Sequence, residues 1–336
     1  MQHAPLDIPR IVLAPMAGGP STVELAAAVC EAGGLGFLAA GYVSATDMVA
    51  QVERLRSVTD APFGVNVFVI REHAVDAAAL ADYLRSLEAD ARLLGVAVGA
   101  ARFDDDGFEA KVDALVRARV PVVSFTFACP GSETVAALQA VGTQVWVTVT
   151  SPEEADLAIA AGCDAVITQG SEAGGHRSSF HDDGGQQALA TLALVHELAG
   201  RVSVPIIAAG GIATSTDVEE AVAAGAAAVQ CGTAFLLSEE AGTHPVHRAA
   251  IASDAATAFT RAYTGRTARG VVTDFMRDHA DAPCAFPHIH YATAPLRAAA
   301  RDAGDAHRVN LWAGTRHAVA RQGAAAAIVR SLMGDT

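Results

Sequence analysis

The chain has 336 residues, 51% hydrophobic and 18% charged, so it carries ample apolar material for a large core and lacks the low-hydrophobicity signature of disorder. The formal net charge is -14, Lys111 is the only lysine, and no basic stripe runs along the chain, which excludes nucleic acid as an expected partner. Length alone admits two domains or one large α/β barrel.

Taken in chain order, Met1 to Arg10 lacks the apolar core of a signal peptide. Short β-rich runs at 10–14, 35–39, 63–69, 121–126, 144–149, 164–168, 204–208 and 227–231 then alternate with alanine-rich amphipathic runs. That alternation is the signature of repeated βα units around a parallel sheet. Helices are predicted to begin near Ser21, Ser44, Ala74 with a second at Gly107, Ser132, Ser151, Gln186 and Ser215, several with an N-cap serine. Three helices are expected to end in small-residue turns, Glu31-Ala-Gly-Gly-Leu35, Ala160-Ala-Gly-Cys-Asp164 and Ala223-Ala-Gly-Ala-Ala227, where glycine suits the left-handed C-cap.

Eight such units predict a (β/α)8 TIM barrel over residues 1–240. The open doubly wound alternative lacks a G-x-G-x-x-G after the first strand. The uncharged stretches 134–152 and 221–238 approach membrane-spanning length, but each changes midway from a helical to a β-branched strand pattern, so no membrane span is expected. Residues 241–336, rich in His, Arg and Asp with helical runs near 292–303 and 313–333, read as a mostly helical extension packed on the barrel, either a cap on the substrate side or an oligomer contact. Cys30, Cys129, Cys163, Cys231 and Cys284 form no C-x-x-C pair, which fits reduced thiols and a cytoplasmic location.

Barrel sites lie at the C-terminal strand ends. The sequence puts there Ala14-Pro-Met16-Ala-Gly-Gly19, Asn66, Gln169-Gly-Ser-Glu-Ala-Gly-Gly-His176-Arg177, Ala209-Gly-Gly211 and Gln230-Cys231-Gly232-Thr233. Gly170, Gly174 and Gly175 are expected to let the backbone approach a flat or anionic ligand and take up positive φ, while His176 can exchange a proton near neutral pH. The last two strand ends are where barrels bind phosphate through backbone N–H groups and a helix N-terminus. Lys111 falls in a predicted helix, which argues against a Schiff-base aldolase.

Other residues have plainer readings. His3, His73, His181, His196, His244, His247, His307 and His317 read as solvated, and His288 and His290, projecting to one side of an extended segment, lack a third ligand, so no metal site is expected. Asp104-Asp-Asp106-Gly107 reads as a solvated turn, and Cys129 and Cys231 as small buried residues without a base partner. Glu172 would orient the imidazole or point to water. Tyr263, Phe275, Phe286 and Trp312 would line an apolar pocket or pack the interior.

The set Pro15-Met16-Ala-Gly-Gly19, Val65-Asn66-Val-Phe68, Ser124-Phe-Thr-Phe127, Gln169 to Arg177, Ala209-Gly-Gly-Ile212 and Gln230-Cys-Gly-Thr-Ala-Phe235 resembles the nitronate monooxygenase family, formerly called 2-nitropropane dioxygenases. The resemblance covers the whole barrel, and Leu311-Trp-Ala-Gly314 is similar to the family's C-terminal motif. It implies an FMN-dependent enzyme that oxidises alkyl nitronates, and nitroalkanes with them, using O2 to give carbonyl compounds and nitrite. On that resemblance His176 matches the catalytic histidine. Asn66, Gln169, Gly174, Gly211, Gln230, Cys231, Gly232 and Thr233 would contact FMN; Met16 reads either as core packing or, with Pro15 and Gly18-Gly19 beside it, as a contact of the flavin ring. The amides of Asn66 and Gln169 suit the polar edge of the isoalloxazine. The chain departs from the pattern at Ser178-Ser179, where the family often has a glycine, and at Thr315, where glutamine is common; both leave the substrate open. The alternative is an NAD(P)H-dependent FMN reductase of the same barrel type, an enoyl-acyl-carrier-protein reductase or a quinone reductase. A flavin-free phosphosugar isomerase and a non-catalytic flavin binder stand further off.

Overall fold

The computed structural model describes residues 7–182, 184 and 188–335. The chain runs β1 (Ile11–Leu13), α1 (Val23–Glu31), β2 (Gly36–Ala39), α2 (Ala45–Val58), β3 (Phe63–Phe68), α3 (Ala77–Ser86), α4 (Glu88–Leu94) and α5 (Phe108–Ala118). Next come β4 (Val122–Thr126), α6 (Ser132–Gln139), β5 (Gln144–Val149), α7 (Pro152–Ala160), β6 (Ala165–Gln169), β7 (Gly175–His176), α8 (Thr191–Leu198) and β8 (Ile206–Ala209). The remainder is α9 (Ser215–Ala223), β9 (Ala228–Cys231), α10 (Pro245–Ile251), β10 (Thr257–Thr260), β11 (Ala268–Val271), α11 (Asp274–Asp278), α12 (His288–Asp302) and α13 (Ala325–Met333).

Eight parallel strands pair in the order β1-β9-β8-β6-β5-β4-β3-β2. Leu13 N donates to Leu35 O and Leu35 N to Ile11 O, each at 2.9 Å, and these bonds close the ring. The fold is therefore a TIM barrel, and each expected strand overlaps an observed one. Helix starts follow from capping chemistry: Thr22, Ser44 and Ser151 each accept a backbone N–H from their own first turn, and Thr214 forms a capping box with Asp217. The start predicted at Gln186 lies outside the described residues.

Period-2 alternation decides what fills the barrel. The Phe37 ring occupies the space where a Cβ on Gly64 would sit, 2.3 Å away, and Phe37 lies 5.7 Å from Trp146, centroid to centroid. With Val12, Val122, Ile167 and Ile207 these rings plug the lower barrel. One pleat higher, the inward positions turn polar: Asn66 follows Gly64, Thr148 follows Trp146 and Gln169 follows Ile167, and all three line a cavity at the C-terminal rim. Buried polar groups need partners, so this change of polarity marks the end of the barrel that takes a polar ligand.

Several expectations need correction. The run 292–303 starts earlier, at His288, so His288 and His290 lie on a helix rather than an extended segment. The run 313–333 is helical only as α13 and a single 3-10 turn at His317–Val319. Its first part is a strap held by side chains and backbone of the barrel, with Gly314 N donating to Thr233 Oγ1 and Thr315 N to Glu172 O. Strands β10 and β11, absent from the sequence reading, form an antiparallel sheet with β7. His247 and His317 are buried rather than solvated; the two ring nitrogens of His317 lie 3.0 and 2.8 Å from Ile251 O and Ala255 O. Among the described residues no helix is long and apolar enough to cross a membrane.

Asp106 is likewise no solvated turn residue. Its carboxylate is buried 2.6 Å from Lys111 Nζ, which also donates to Ala40 O at 2.8 Å, and Asp106 Oδ1 accepts from Tyr42 N at 2.9 Å. The sole lysine thus fixes the loop after β2. Removing one partner of a buried pair leaves a charge uncompensated, so Lys111→Ala should lower unfolding stability by about 3–5 kcal/mol. Urea denaturation reads this directly, and a loss near zero would show that the pair is not a structural pin.

Candidate functional site

The cavity at the C-terminal rim encloses about 1300 Å³ counting its open mouth. Met16, Asn66, Gln169, Gly174, His176, Gly211, Gln230, Cys231, Gly232 and Thr233, separated in sequence by up to 217 positions, all line it. Trp312 lines it too, as one of its two readings has it, and so do Tyr42, Phe68, Phe127, His247 and Arg316, which were not singled out as ligand contacts. Tyr42, Phe68 and Phe127 sit at or just past the ends of β2, β3 and β4, so the strand-end rule applied to every strand would have found them. His247 and Arg316 come from beyond residue 240, where no such rule applies.

His176 is placed by long-range pairing. Strand β7 pairs with β11 in the register Ala268↔His176 and Arg269↔Gly175, and Arg177 N donates to Thr267 O at 2.8 Å. Gln169 brackets the loop from within: its Nε2 donates to His176 O at 3.0 Å and its Oε1 accepts from Ser178 N at 2.8 Å. Asp182 clasps the far side by accepting from Thr267 N, Thr267 Oγ1 and Arg261 Nε at 3.0, 2.6 and 3.1 Å. Burial alone would raise the Asp182 carboxyl, but these donors hold it well below the usual carboxylate range.

The imidazole packs among Phe127, Phe286 and Trp312, with ring centroids 5.7, 5.7 and 5.6 Å away. Its Nε2 lies 2.9 Å from Thr264 Oγ1, which donates to Arg266 O at 3.2 Å. When the hydroxyl gives its one proton to that carbonyl, Thr264 accepts from Nε2–H and the lone pair stands on Nδ1. Burial first, then the guanidinium charges of Arg266 and Arg297, brings the His176 pKa down to about 3, so the ring is neutral. Burial and Arg297 likewise bring His290, stacked on Tyr42 at 4.1 Å, down to about 2. His247, whose Nε2 lies 2.8 Å from Trp312 O, is lowered to about 4, mainly by burial.

Two glycines of the loop serve packing rather than ligand approach. A Cβ on Gly170 would lie 2.1 Å from Thr191 Oγ1, and one on Gly174 only 2.4 Å from Gly314 N; of the three, only Gly175 takes positive φ, at 77°. Glu172 does not orient the imidazole: Oε2 accepts from Thr191 N and Oγ1 at 2.9 and 3.0 Å and seats α8. Burial pushes the Cys231 and Cys129 thiols up to about 12 and about 11, which disqualifies both as nucleophiles. Tyr263 and Phe275 stack in the interior, whereas Phe286 and Trp312 face His176.

Two buried polar atoms of the lining, Gln230 Nε2 and Tyr42 Oη, have no hydrogen-bond partner among the described residues. Buried donors of this kind are satisfied by a bound molecule or water. Asn66, by contrast, already donates to Ser124 and Thr126. No group of three metal-ligating side chains occurs among the described residues.

The family profile for nitronate monooxygenase matches residues 3–335. The nitronate monooxygenase of Pseudomonas aeruginosa is 41% identical over 96% of this chain and 95% of its own, and that of Paraburkholderia phytofirmans 38% identical over 96% and 90%. The crystal structure of nitroalkane oxidase from Streptomyces ansochromogenes superposes with a TM-score of 0.94 at 44% identity, covering 97% of this chain and 95% of that one. FabK from Thermotoga maritima superposes with a TM-score of 0.75 at 29% identity, covering 98% and 93%. The chain belongs to the nitronate monooxygenase family and is an oxidoreductase.

The neutral imidazoles carry a consequence for acid stability. With folded-state pKa values near 3, 4 and 2 for His176, His247 and His290, the unfolded chain binds protons below pH 6.5 that the native state refuses. Stability should therefore fall as pH drops from about 6.5 toward 4, by up to about 1.4 kcal/mol per pH unit for each ring. His176→Asn should flatten that slope by about one ring's share in urea titrations at stepped pH. An unchanged slope would mean that His176 already carries its proton in the native state.

Proposed function

We propose that this protein is an FMN-dependent nitronate monooxygenase that converts alkyl nitronates, and nitroalkanes through their nitronates, with O2 into carbonyl compounds and nitrite. The observation that carries the reading is His176, enclosed by Phe127, Phe286 and Trp312 with Nε2 on Thr264 Oγ1, on a cavity whose wall holds buried polar atoms without partners among the described residues. The high similarity to nitronate monooxygenases and a nitroalkane oxidase supports it.

The residues present fit a flavin mononucleotide. Gln230 Nε2 and the remaining N–H of Gln169 would serve the polar edge of the ring, Met16 its apolar face, and Gly211, Gly232 and Thr233 the phosphate end. When bound, FMN takes the electrons of the nitronate and passes them to O2. His176 would remove the α-proton of a neutral nitroalkane at Nδ1, and Thr264 holds the tautomer that allows it. Arg297 donates to His290 O and Thr293 Oγ1 and has no carboxylate partner among the described residues, and Arg266 donates to the carbonyls of Arg177 and Ser179. Their combined field favours the anionic nitronate over the neutral nitroalkane and opposes protonation of the base. Phe127, Phe286 and Trp312 keep water from the imidazole. Residues 241–336 act as the substrate-side cover through Phe286 and Trp312, and the enzyme works in the cytoplasm on small molecules.

The likeness to FabK favours a second reading, an NAD(P)H-dependent reductase on the same barrel. An anaerobic spectrum separates the two: bleaching of the flavin by a nitronate and not by NADH is expected, and bleaching by NADH would replace the first reading with the second.

His176→Ala should retain flavin and lower kcat/KM for nitroethane by about 10²–10⁴-fold, the usual contribution of a positioned base, while leaving ethyl nitronate within about tenfold. Equal activity of variant and parent on nitroethane would remove the base assignment. Thr264→Val, which deletes one neutral hydrogen bond, should lower nitroethane turnover about fivefold. Steady-state rates on the two substrate forms check it, and an equal loss on ethyl nitronate would deny Thr264 its role in holding the tautomer.

A further inference from the structure

We propose that Arg316 is the cation that binds the phosphate of FMN, an inference that rests on the flavin reading above. Among the described residues lining the cavity, Arg316 is the only one with a formal charge at neutral pH, the imidazoles of His176 and His247 being neutral. A phosphate dianion entering a protein of net charge -14 meets an unfavourable field unless a local cation offsets it.

Arg316 stands at the start of α9, beside the carboxylate that caps it. Its Nη1 lies 3.3 Å from Asp217 Oδ1, and Asp217 Oδ2 accepts from Ala213 N at 2.9 Å and Thr214 N at 2.8 Å at the start of α9. The guanidinium is thereby parked beside the turn Gly210-Gly211-Ile212-Ala213, where Gly210 and Gly211 take φ of 115° and 69°. That turn leads directly into the N-terminus of α9, whose partial positive charge favours an anion. A second and independent sign of a ligand is Gln230 Nε2, on a residue 94% buried by its 6% exposure, without a partner and on the same cavity.

The rest state also suits a phosphate clamp. The Arg316 side chain is 45% exposed and held by one long ion pair, so its fork has donors left for an incoming phosphate while Nη1 stays on the largely buried Asp217 carboxylate. The path of the segment is fixed independently by Gly314 N to Thr233 Oγ1 and Thr315 N to Glu172 O, both at 3.0 Å, so side-chain substitution at 316 leaves the strap in place.

The test compares two flavins that differ only in the phosphate. Apoprotein is titrated with FMN and with riboflavin, following quenching of flavin fluorescence, for the parent, Arg316→Gln and Arg316→Lys, with circular dichroism to verify folding. The expected result is that Arg316→Gln weakens FMN by about tenfold and leaves riboflavin unchanged, with Arg316→Lys in between. Unchanged FMN affinity, or equal weakening of FMN and riboflavin, overturns the role of Arg316 while leaving the flavin reading intact. A parent that binds riboflavin as tightly as FMN overturns it as well, and a parent that binds neither overturns the flavin reading itself.

Discussion

The antiparallel pairing of Gly175 and His176 with Ala268 and Arg269 is the contact on which the site depends. The imidazole's hydrogen-bond partner, Thr264, lies 88 residues further along the chain, and the loop that carries His176 has no helix of its own to stiffen it. Main-chain bonds from β11, the Gln169 amide and the Asp182 carboxylate together remove the loop's freedom. A loop of this glycine content would otherwise sample many conformations, and ordering it costs conformational entropy for every residue fixed. The barrel therefore supplies the cavity, while the segment after residue 240 supplies the order of its most reactive group.

The barrel was readable because its physics is local and periodic. Eight β-branched runs between alanine-rich helices predict strands to within a residue or two, and inward parity alone would separate the plugging layer of Phe37 and Trp146 from the polar layer of Asn66, Thr148 and Gln169. The ten expected site residues share one cavity because the strand ends converge on one rim, with His176 set there by its pairing with β11. What lay beyond reach was set by tertiary contact. Strands β10 and β11 are four residues each with only partly buried faces in β10, too weak a pattern to stand out. Buried His247 and His317 look like any loop histidine, since their burial comes from α10 and the strap closing over them. Asp106 resembles a surface turn until Lys111 arrives from α5 to compensate it.

One electrostatic arrangement accounts for two properties of the reactive end. Lys111 has its carboxylate, whereas Arg297 and Arg266 are satisfied mainly by carbonyl and hydroxyl oxygens, which stabilise a guanidinium without cancelling its charge. Burial brings Arg297 down to about 10, still far above neutrality, so its positive charge persists. That field lowers His176 and His290, and it would raise the acidity of any carbon acid held beside them. A base weakened by nearby cations is a poor trade in water, but in the proposed reaction the same cations would stabilise the product anion, so the proton-transfer equilibrium would lose less than the imidazole pKa alone suggests.

The glycines that first drew notice to the loop have a different origin from the one their pattern suggests. Gly174 and Gly314 face each other across the strap: a Cβ on the first would strike Gly314 N at 2.4 Å, and a Cβ on the second would meet Glu172 O at 2.8 Å. Loop and strap thus touch backbone to backbone, which explains why both stretches carry glycine although one lies near the middle of the chain and the other near its end. Because the path of the strap is fixed by main-chain contacts, its side chains at 315 and 316 are free to change without moving it. Thr315 lies beside Gly211 and Arg316 beside the start of α9, so the strap brings both side chains to the C-terminal rim while its own path is set by Gly314 N and Thr315 N.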